Sequence, residues 1–269
     1  MPVAIAQLLS HLEAIAPLEL AETWDNVGLL VEPQRHTAGS ARPPIQRVLL
    51  TIDLTLPVIE EACAWHADVV VSYHPPLFTG LKRLVADTPG ERVLIEAIRA
   101  GIAVYSPHTA LDAASGGVND WLLEALGPGR PIVRSDGNVR LGRAIELAEP
   151  TPLRTLLHFI KTHLGLKQLR VAESARHAAG VPIERGAVCA GSGGAVFAEL
   201  HGFDLYVTGE MRHHDVLAKV AGGASVVLCE HTNSERGYLP RLQQRLAELA
   251  EGELEVRISA CDRDPLSVS

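Results

Sequence analysis

Two stretches of this chain carry the same phrase. One reads GIAVYSPHTALDAASGGVNDWLLEAL and the other GGASVVLCEHTNSERGYLPRLQQRLAEL. Each is a short apolar run, then His-Thr (His108-Thr109, His231-Thr232), then a carboxylate four residues after the His (Asp112, Glu235), then a stretch with helical spacing. A second pair of segments echoes in the same way. ADVVVSYHPPLF and FDLYVTGEMRHHD open on Ala-Asp or Phe-Asp, run through apolar residues and end in histidine: His74 in the first, His213 and His214 in the second. A chain that repeats a unit places equivalent residues at equivalent points of two similar substructures. The repeated points here are strand ends, and in open α/β sheets ligands gather outside the C-terminal ends of the strands.

The rest of the chain supports an α/β fold. Apolar runs of four to seven residues alternate with helix-period stretches, the signature of strands interleaved with helices. Strands are predicted near 27–31, 47–53, 69–73 and 103–105, then near 144–147, 169–172, 186–190, 205–208 and 225–229. Helices are predicted near 3–15, 56–64, 90–100 and 117–126, then near 153–164, 195–200, 213–220 and 239–250. GPGRPIVRSDGN, with five Gly or Pro in twelve residues, reads as a linker. The expected organisation is a first half over 1–127, a linker over 128–138 and a second half over 139–269. A last strand near 256–258 can return to the first sheet.

Composition narrows the function. Net charge is −8 and aromatic residues make up 4%, so both the basic surface and the stacking platforms of a nucleic-acid binder are scarce. No apolar run reaches the length of a membrane span, and the N-terminal apolar residues follow a helical period instead of forming a signal-peptide core. A cytoplasmic protein is expected, with no membrane partner. Its four scattered cysteines read as small buried hydrophobes in a reducing compartment.

Imidazole and carboxylate donors at converging strand ends suit a transition metal, Zn, Fe, Mn, Co or Ni, and a carboxylate can bridge two such ions. The constellation is His74, His108, Asp112, His231 and Glu235. Tyr73 reads either as a strand-end aromatic with a bonded hydroxyl or as a donor at the site. Glu210, before His213 and His214, reads as a general base or as a carboxylate orienting a ligand histidine; of the two adjacent histidines, at most one faces a site. AGSGG (Ala190 to Gly194) reads as a tight turn ahead of an anion loop. Asp25-Asn26 reads as a cap or turn.

Together, WDNVGLLVE, VVVSYHPPLF, SPHTALDAASGGVN, VCAGSGG, YVTGEMRHHD and CEHTNSERGYL resemble the Ngg-one-interacting factor three family, whose members are labelled dinuclear metal-centre hexameric proteins or GTP cyclohydrolase I type 2 homologues. The motifs stand in family order from Trp24 to Leu239. The resemblance implies two intertwined, similar α/β halves with mixed sheets, a metal site in the cleft between them, and a ring-shaped homohexamer. It places the ligands of two divalent transition-metal ions on His74, Asp112, His231 and Glu235, with Glu235 the bridge and His108 close by. The family's common pattern has two adjacent histidines before the first proline; here the first is Tyr73, which removes an imidazole from one metal position. The functional expectation is a metal-dependent hydrolase or cyclohydrolase acting on a small, nucleotide-like substrate, with His108 or Glu210 handling protons. The alternative is a non-catalytic metal-binding oligomer that works as a scaffold or regulator through protein contacts.

Overall fold

The computed structural model describes residues 3–33, 43–132, 141–198 and 200–267. In chain order the first stretch holds α1 (Ile5–Ile15), β1 (Gly28–Val31), β2 (Arg47–Thr51), α2 (Leu56–Trp65), β3 (Val69–Ser72), α3 (Pro89–Ala100), β4 (Ala103–Ser106) and α4 (His108–Ala113). The middle stretch holds α5 (Val118–Leu123), β5 (Gly129–Pro131), β6 (Arg143–Thr151), α6 (Leu153–Leu164), β7 (Arg170–Ala172), α7 (Ala175–Ala178), β8 (Ile183–Ser192), α8 (Gly194–Ala198), β9 (Leu205–Glu210), α9 (His213–Ala221) and β10 (Ser225–Leu228). The chain ends with α10 (Leu239–Leu249) and β11 (Glu255–Ile258). Among the described residues, no helix is long and apolar enough to cross a membrane.

The protein is an α/β fold with two mixed sheets. One unit comprises Met1–Ala114 with Leu239–Ser269, the other Ser115–Tyr238. The first unit's sheet runs β1-β4-β3-β2-β11, parallel except for β1. The second unit's sheet runs β5-β6-β8-β9-β10-β7, with β8, β9 and β10 parallel and the flanking strands antiparallel.

These limits correct the expected division at a linker over 128–138. Residues 129–131 form β5, which pairs with β6 inside the second unit; residues 133–138 of the expected linker lie outside the described residues. A Cβ at Gly129 would come within 2.3 Å of the Glu146 carbonyl oxygen, so that glycine serves close strand pairing. The helix before it belongs to the second unit too. Asn119 Oδ1 accepts a hydrogen bond from Ala190 N at 2.8 Å, and Asp120 pairs with Arg143. Glycine and proline density marked a change of backbone direction, and side-chain pairing set the boundary.

Each unit is built on the same three-strand motif. β2, β3 and β4 in the first correspond to β8, β9 and β10 in the second, each set parallel and adjacent. One residue pins each motif. Asp68, just before β3, accepts backbone N–H bonds from Gln46 and Arg47 at 2.7 and 2.9 Å. Asp204, just before β9, accepts them from Glu184 and Arg185, both at 3.0 Å. Their backbones continue the likeness: Asp68 exchanges bonds with Arg47 and Ala103, Asp204 with Arg185 and Ser225. The duplication read in the sequence is a duplication of structure.

Helices pack on these strands by periodicity. α2 buries Val58, Ile59 and Ala62, and α3 buries Val93, Leu94 and Ala97, the i, i+1, i+4 spacing of one helix face. They meet Leu49, Val70 and Val104 of the sheet; each such side chain contributes about 1.5–3 kcal/mol on burial. α3 starts on a capping box between Thr88 and Glu91, with Pro89 in its first turn. In the second unit Phe197, Tyr206 and Val226 centre the equivalent core.

Candidate functional site

In the first unit the strand ends carry the chemistry. Asp53 follows β2, Tyr73 and His74 follow β3, and His108 follows β4 after Pro107. Parallel pairing in register brings these ends together. His74 Nδ1 donates to Asp53 Oδ1 at 2.9 Å. With that nitrogen protonated, Nε2 is the one that presents a lone pair. The Tyr73 hydroxyl donates to Asp112 Oδ1 at 2.6 Å within the interior. Asp112 lies on α4, one turn after His108, and is buried. The rings of Tyr73, His74 and His108 pack mutually, with centroids 4.9 to 5.7 Å apart. His74, His108 and Asp112 therefore share one cluster, and Tyr73 takes the bonded-hydroxyl role within it.

His108 is held from below. Its Nδ1 donates to the two oxygens of Asp25 at 2.8 and 2.9 Å, and Thr109 donates to the same carboxylate through its backbone and its hydroxyl. Burial works to raise the Asp25 carboxyl. The hydrogen bonds from His108 and Thr109, the attraction of His108 and the Asn26 N–H outweigh it and hold the group below the usual aspartate value. His108 has φ +25, a backbone state costing on the order of 1–3 kcal/mol outside glycine. The multiple contacts of Asp25 hold that conformation in place.

The second unit repeats the arrangement in its own terms. His231 follows β10, with Nδ1 3.3 Å from Glu210 Oε1 at the end of β9 and Nε2 3.5 Å from Glu235 Oε1. Glu235 is buried and Glu210 exposed. The backbone crowds this pair so closely that only glycine fits beside it. At Gly191, φ is +62, and a Cβ would lie 2.8 Å from Glu235 Oε1 and 3.1 Å from His231 Nε2. At Gly209, a Cβ would meet the Gly191 carbonyl oxygen at 2.6 Å and His231 Cα at 2.7 Å. Ser234 ties the loop down, accepting from Gly191 N at 2.8 Å and donating to the His231 carbonyl at 2.6 Å.

The AGSGG segment is not the expected tight turn: residues 190–192 end β8, Gly194 opens α8, and Gly193 alone joins them. Gly193 N donates to Thr208 Oγ1 and to the Glu210 carbonyl, and Gly191 N to Ser234. Those N–H groups face the protein's own oxygens. His213 and His214 sit exposed at the start of α9, their rings 5.4 Å apart. Cys189 and Cys229 are buried thiols outside any disulfide. Burial first, then the charges of Glu230 and Glu235, push the Cys229 thiol up to about 12, and its Sγ donates to the Thr208 carbonyl.

Sequence reading missed Asp53 as an orienting residue and read Asp25 only as a cap or turn. Asp53 had a usable signal, because it lies two residues past a strand parallel to the one that delivers His74. Asp25 had none, because its partner stands 83 residues away.

The family model for Duf34/NIF3 (NGG1p interacting factor 3) matches residues 3–265. The chain is 42% identical to the protein NIF3 homolog of Schizosaccharomyces pombe, with 97% of each chain covered. It is 38% identical to NGG1-interacting factor 3 of Saccharomyces cerevisiae, covering 98% of this chain and 96% of that one. Its fold matches the crystal structure of the Staphylococcus aureus protein SA1388 with a TM-score of 0.80, at 25% identity and full coverage of both chains.

Proposed function

This chain belongs to the Duf34/NIF3 family, and on that premise we propose that it is a metal-dependent hydrolase or cyclohydrolase acting on a small, nucleotide-like substrate. The observation that carries the reading is the carboxylate behind each candidate ligand imidazole: Asp53 on His74 and Glu210 on His231. Metal-ligating histidines characteristically give their second nitrogen to a carboxylate, which fixes the tautomer and raises the basicity of the ligand nitrogen. The residues fit a divalent transition metal by donor type, imidazole with carboxylate. The space a Cβ would fill at Gly191, against His231 and Glu235, supports the same reading.

In this proposal His74 and Asp112 from one repeat, and His231 and Glu235 from the other, hold up to two ions. A metal held there would lower the pKa of a bound water towards neutrality and so supply a hydrolytic nucleophile. His108, its Nδ1 fixed by Asp25, moves protons at Nε2. Glu210 keeps His231 oriented and takes protons at the exposed rim. The Tyr73 hydroxyl occupies one oxygen of Asp112, so the position that lacks the second imidazole holds its ion more weakly than the other. The protein assembles as a homohexamer and works in the cytoplasm.

Metal analysis of the purified protein, followed by a hydrolysis screen over nucleotides and phosphoesters with Mn, Zn, Fe or Co, tests the reading. Turnover that disappears in Glu235→Ala is the expected result; no metal in the native protein and none taken up on soaking overturns it. A second reading, a metal-binding scaffold, draws on the name of the yeast relative, which records a protein contact for that relative. Metal uptake with no turnover across the screen would favour it.

A further inference from the structure

Two large aromatic rings stand in solvent beside the first unit's histidine cluster. Trp24 is 57% exposed and Phe78 50%. They come from segments far apart in sequence, and Asn26 joins those segments by donating from Nδ2 to the Leu77 carbonyl. The rings touch, with centroids 6.1 Å apart and planes at 60°. Each also meets the His108 imidazole nearly edge-on, Trp24 at 6.3 Å and 78°, Phe78 at 6.4 Å and 83°. His108 in turn packs on His74.

We infer that Trp24 and Phe78 form a preassembled stacking platform that recognises a planar heteroaromatic ring on the substrate, an inference that rests on the metal-centre reading above. The geometry selects a ring. At 6.1 Å and 60° the two aromatics leave no slot for a third ring between them. A flat ligand laid parallel on Trp24 lies tilted at about 60° to Phe78, so it stacks on one ring and meets the other at an angle, and aromatic quadrupoles favour stacked and tilted pairs over a face-to-face sandwich. The platform borders imidazoles, so the polar edge of such a ring meets hydrogen-bonding groups while its faces meet carbon. Stacking of this kind tolerates different bases because each has a π-face. Trp24 and Phe78 are then specificity-determining residues for the ring, while chemistry stays with the histidine cluster.

The test uses the full-length protein and calorimetric titration with guanosine monophosphate, uridine monophosphate and ribose phosphate. Metal content and molecular mass in solution are recorded for every variant. A ring-bearing probe should bind at least roughly tenfold more tightly than ribose phosphate, which lacks the stacked base. Trp24→Ala should weaken the ring-bearing probes roughly five- to hundredfold, with Trp24→Phe retaining much of the affinity and Phe78→Ala losing part of it. Ribose phosphate should be insensitive to all three substitutions. Metal content should match the unsubstituted protein, so loss of ring binding is read separately from failure of the metal centre, which would show as no metal in any sample. The inference is overturned if no ring-bearing probe outbinds ribose phosphate, or if Trp24→Ala leaves ring binding unchanged. A Trp24→Ala variant that changes the oligomeric mass with ring binding intact would assign the pair to a contact between copies and overturn it equally.

Discussion

A methyl group at position 191 would sit 2.8 Å from the Glu235 carboxylate and would require an L residue at φ +62. Gly191→Ala is therefore expected to lower stability by about 1–3 kcal/mol through backbone strain and to spread the His231–Glu235 pair. Thermal denaturation with parallel metal analysis should show both effects; an alanine variant that matches the parent in both would contradict the crowding argument. Tyr73 gives a second prediction. Tyr73→Phe removes the hydroxyl donor from a buried carboxylate, at about 1–3 kcal/mol. Tyr73→His should instead tighten the weaker metal position, and competitive chelator titration would show it. The placement of His74, His108, Asp112, His231 and Glu235 just past strands was legible in the sequence because each stands at a fixed offset from an apolar run and most stand in both repeats. Asp25 escaped because its imidazole partner stands 83 residues away and leaves no local pattern, whereas Asp53 was signalled only by its place just past a strand parallel to the one that delivers His74.

Elements report the duplication more sharply than residues do. Asp68 and Asp204 perform one task twice, each receiving two backbone N–H groups at the head of a parallel pair. Asp204→Ala strands the N–H groups of Glu184 and Arg185, and a cost of about 2–5 kcal/mol is expected from two lost charge-assisted bonds. Asp68→Ala should cost a similar amount in the first unit. Chemical denaturation of the two variants checks this, and a change under 0.5 kcal/mol in both would show the clasp to be incidental. The central strands and long helices were predicted because continuous apolar runs and helical spacing are local properties. Short elements were less legible. α4 was hidden because His108 reads as a strand end, and β5 because a Gly-Arg-Pro strand has no apolar pattern and takes its shape from pairing with β6.

At the scale of the molecule, the last residues complete the first sheet. β11 pairs in parallel with β2, and α10 packs with α1 and β11. Glu61 on α2 fastens the segment that follows, accepting from the Ser259 hydroxyl and from the N–H groups of Ala260 and Cys261. Burial tends to raise the Glu61 carboxyl, but these bonds prevail and lower it from its ordinary 4.5. A carboxyl lowered in the folded state stabilises the fold above its ordinary value and loses that contribution as pH falls through the folded one. Glu61→Gln should thus flatten the acid-side decline of the melting temperature, and a decline identical to the parent's would show that the clasp does not sense pH. That a strand forms near 256–258 was legible from its apolar residues; its pairing with β2 and the place where the units part were not, because both depend on contacts distant in sequence, such as Asn119 with Ala190.

The return of the chain to its first sheet also sets a timetable for biosynthesis. The second unit is complete once Tyr238 has been made, while the first still lacks α10 and β11. From β2 to β11 a ribosome adding about 5–20 residues per second needs on the order of ten seconds or more. Throughout that interval the backbone edge of β2 has no native neighbour on one side, and an open parallel edge is a template for the wrong partner. The nascent protein should therefore finish its later-encoded unit first, and its earliest strands should be the ones most dependent on chaperone cover.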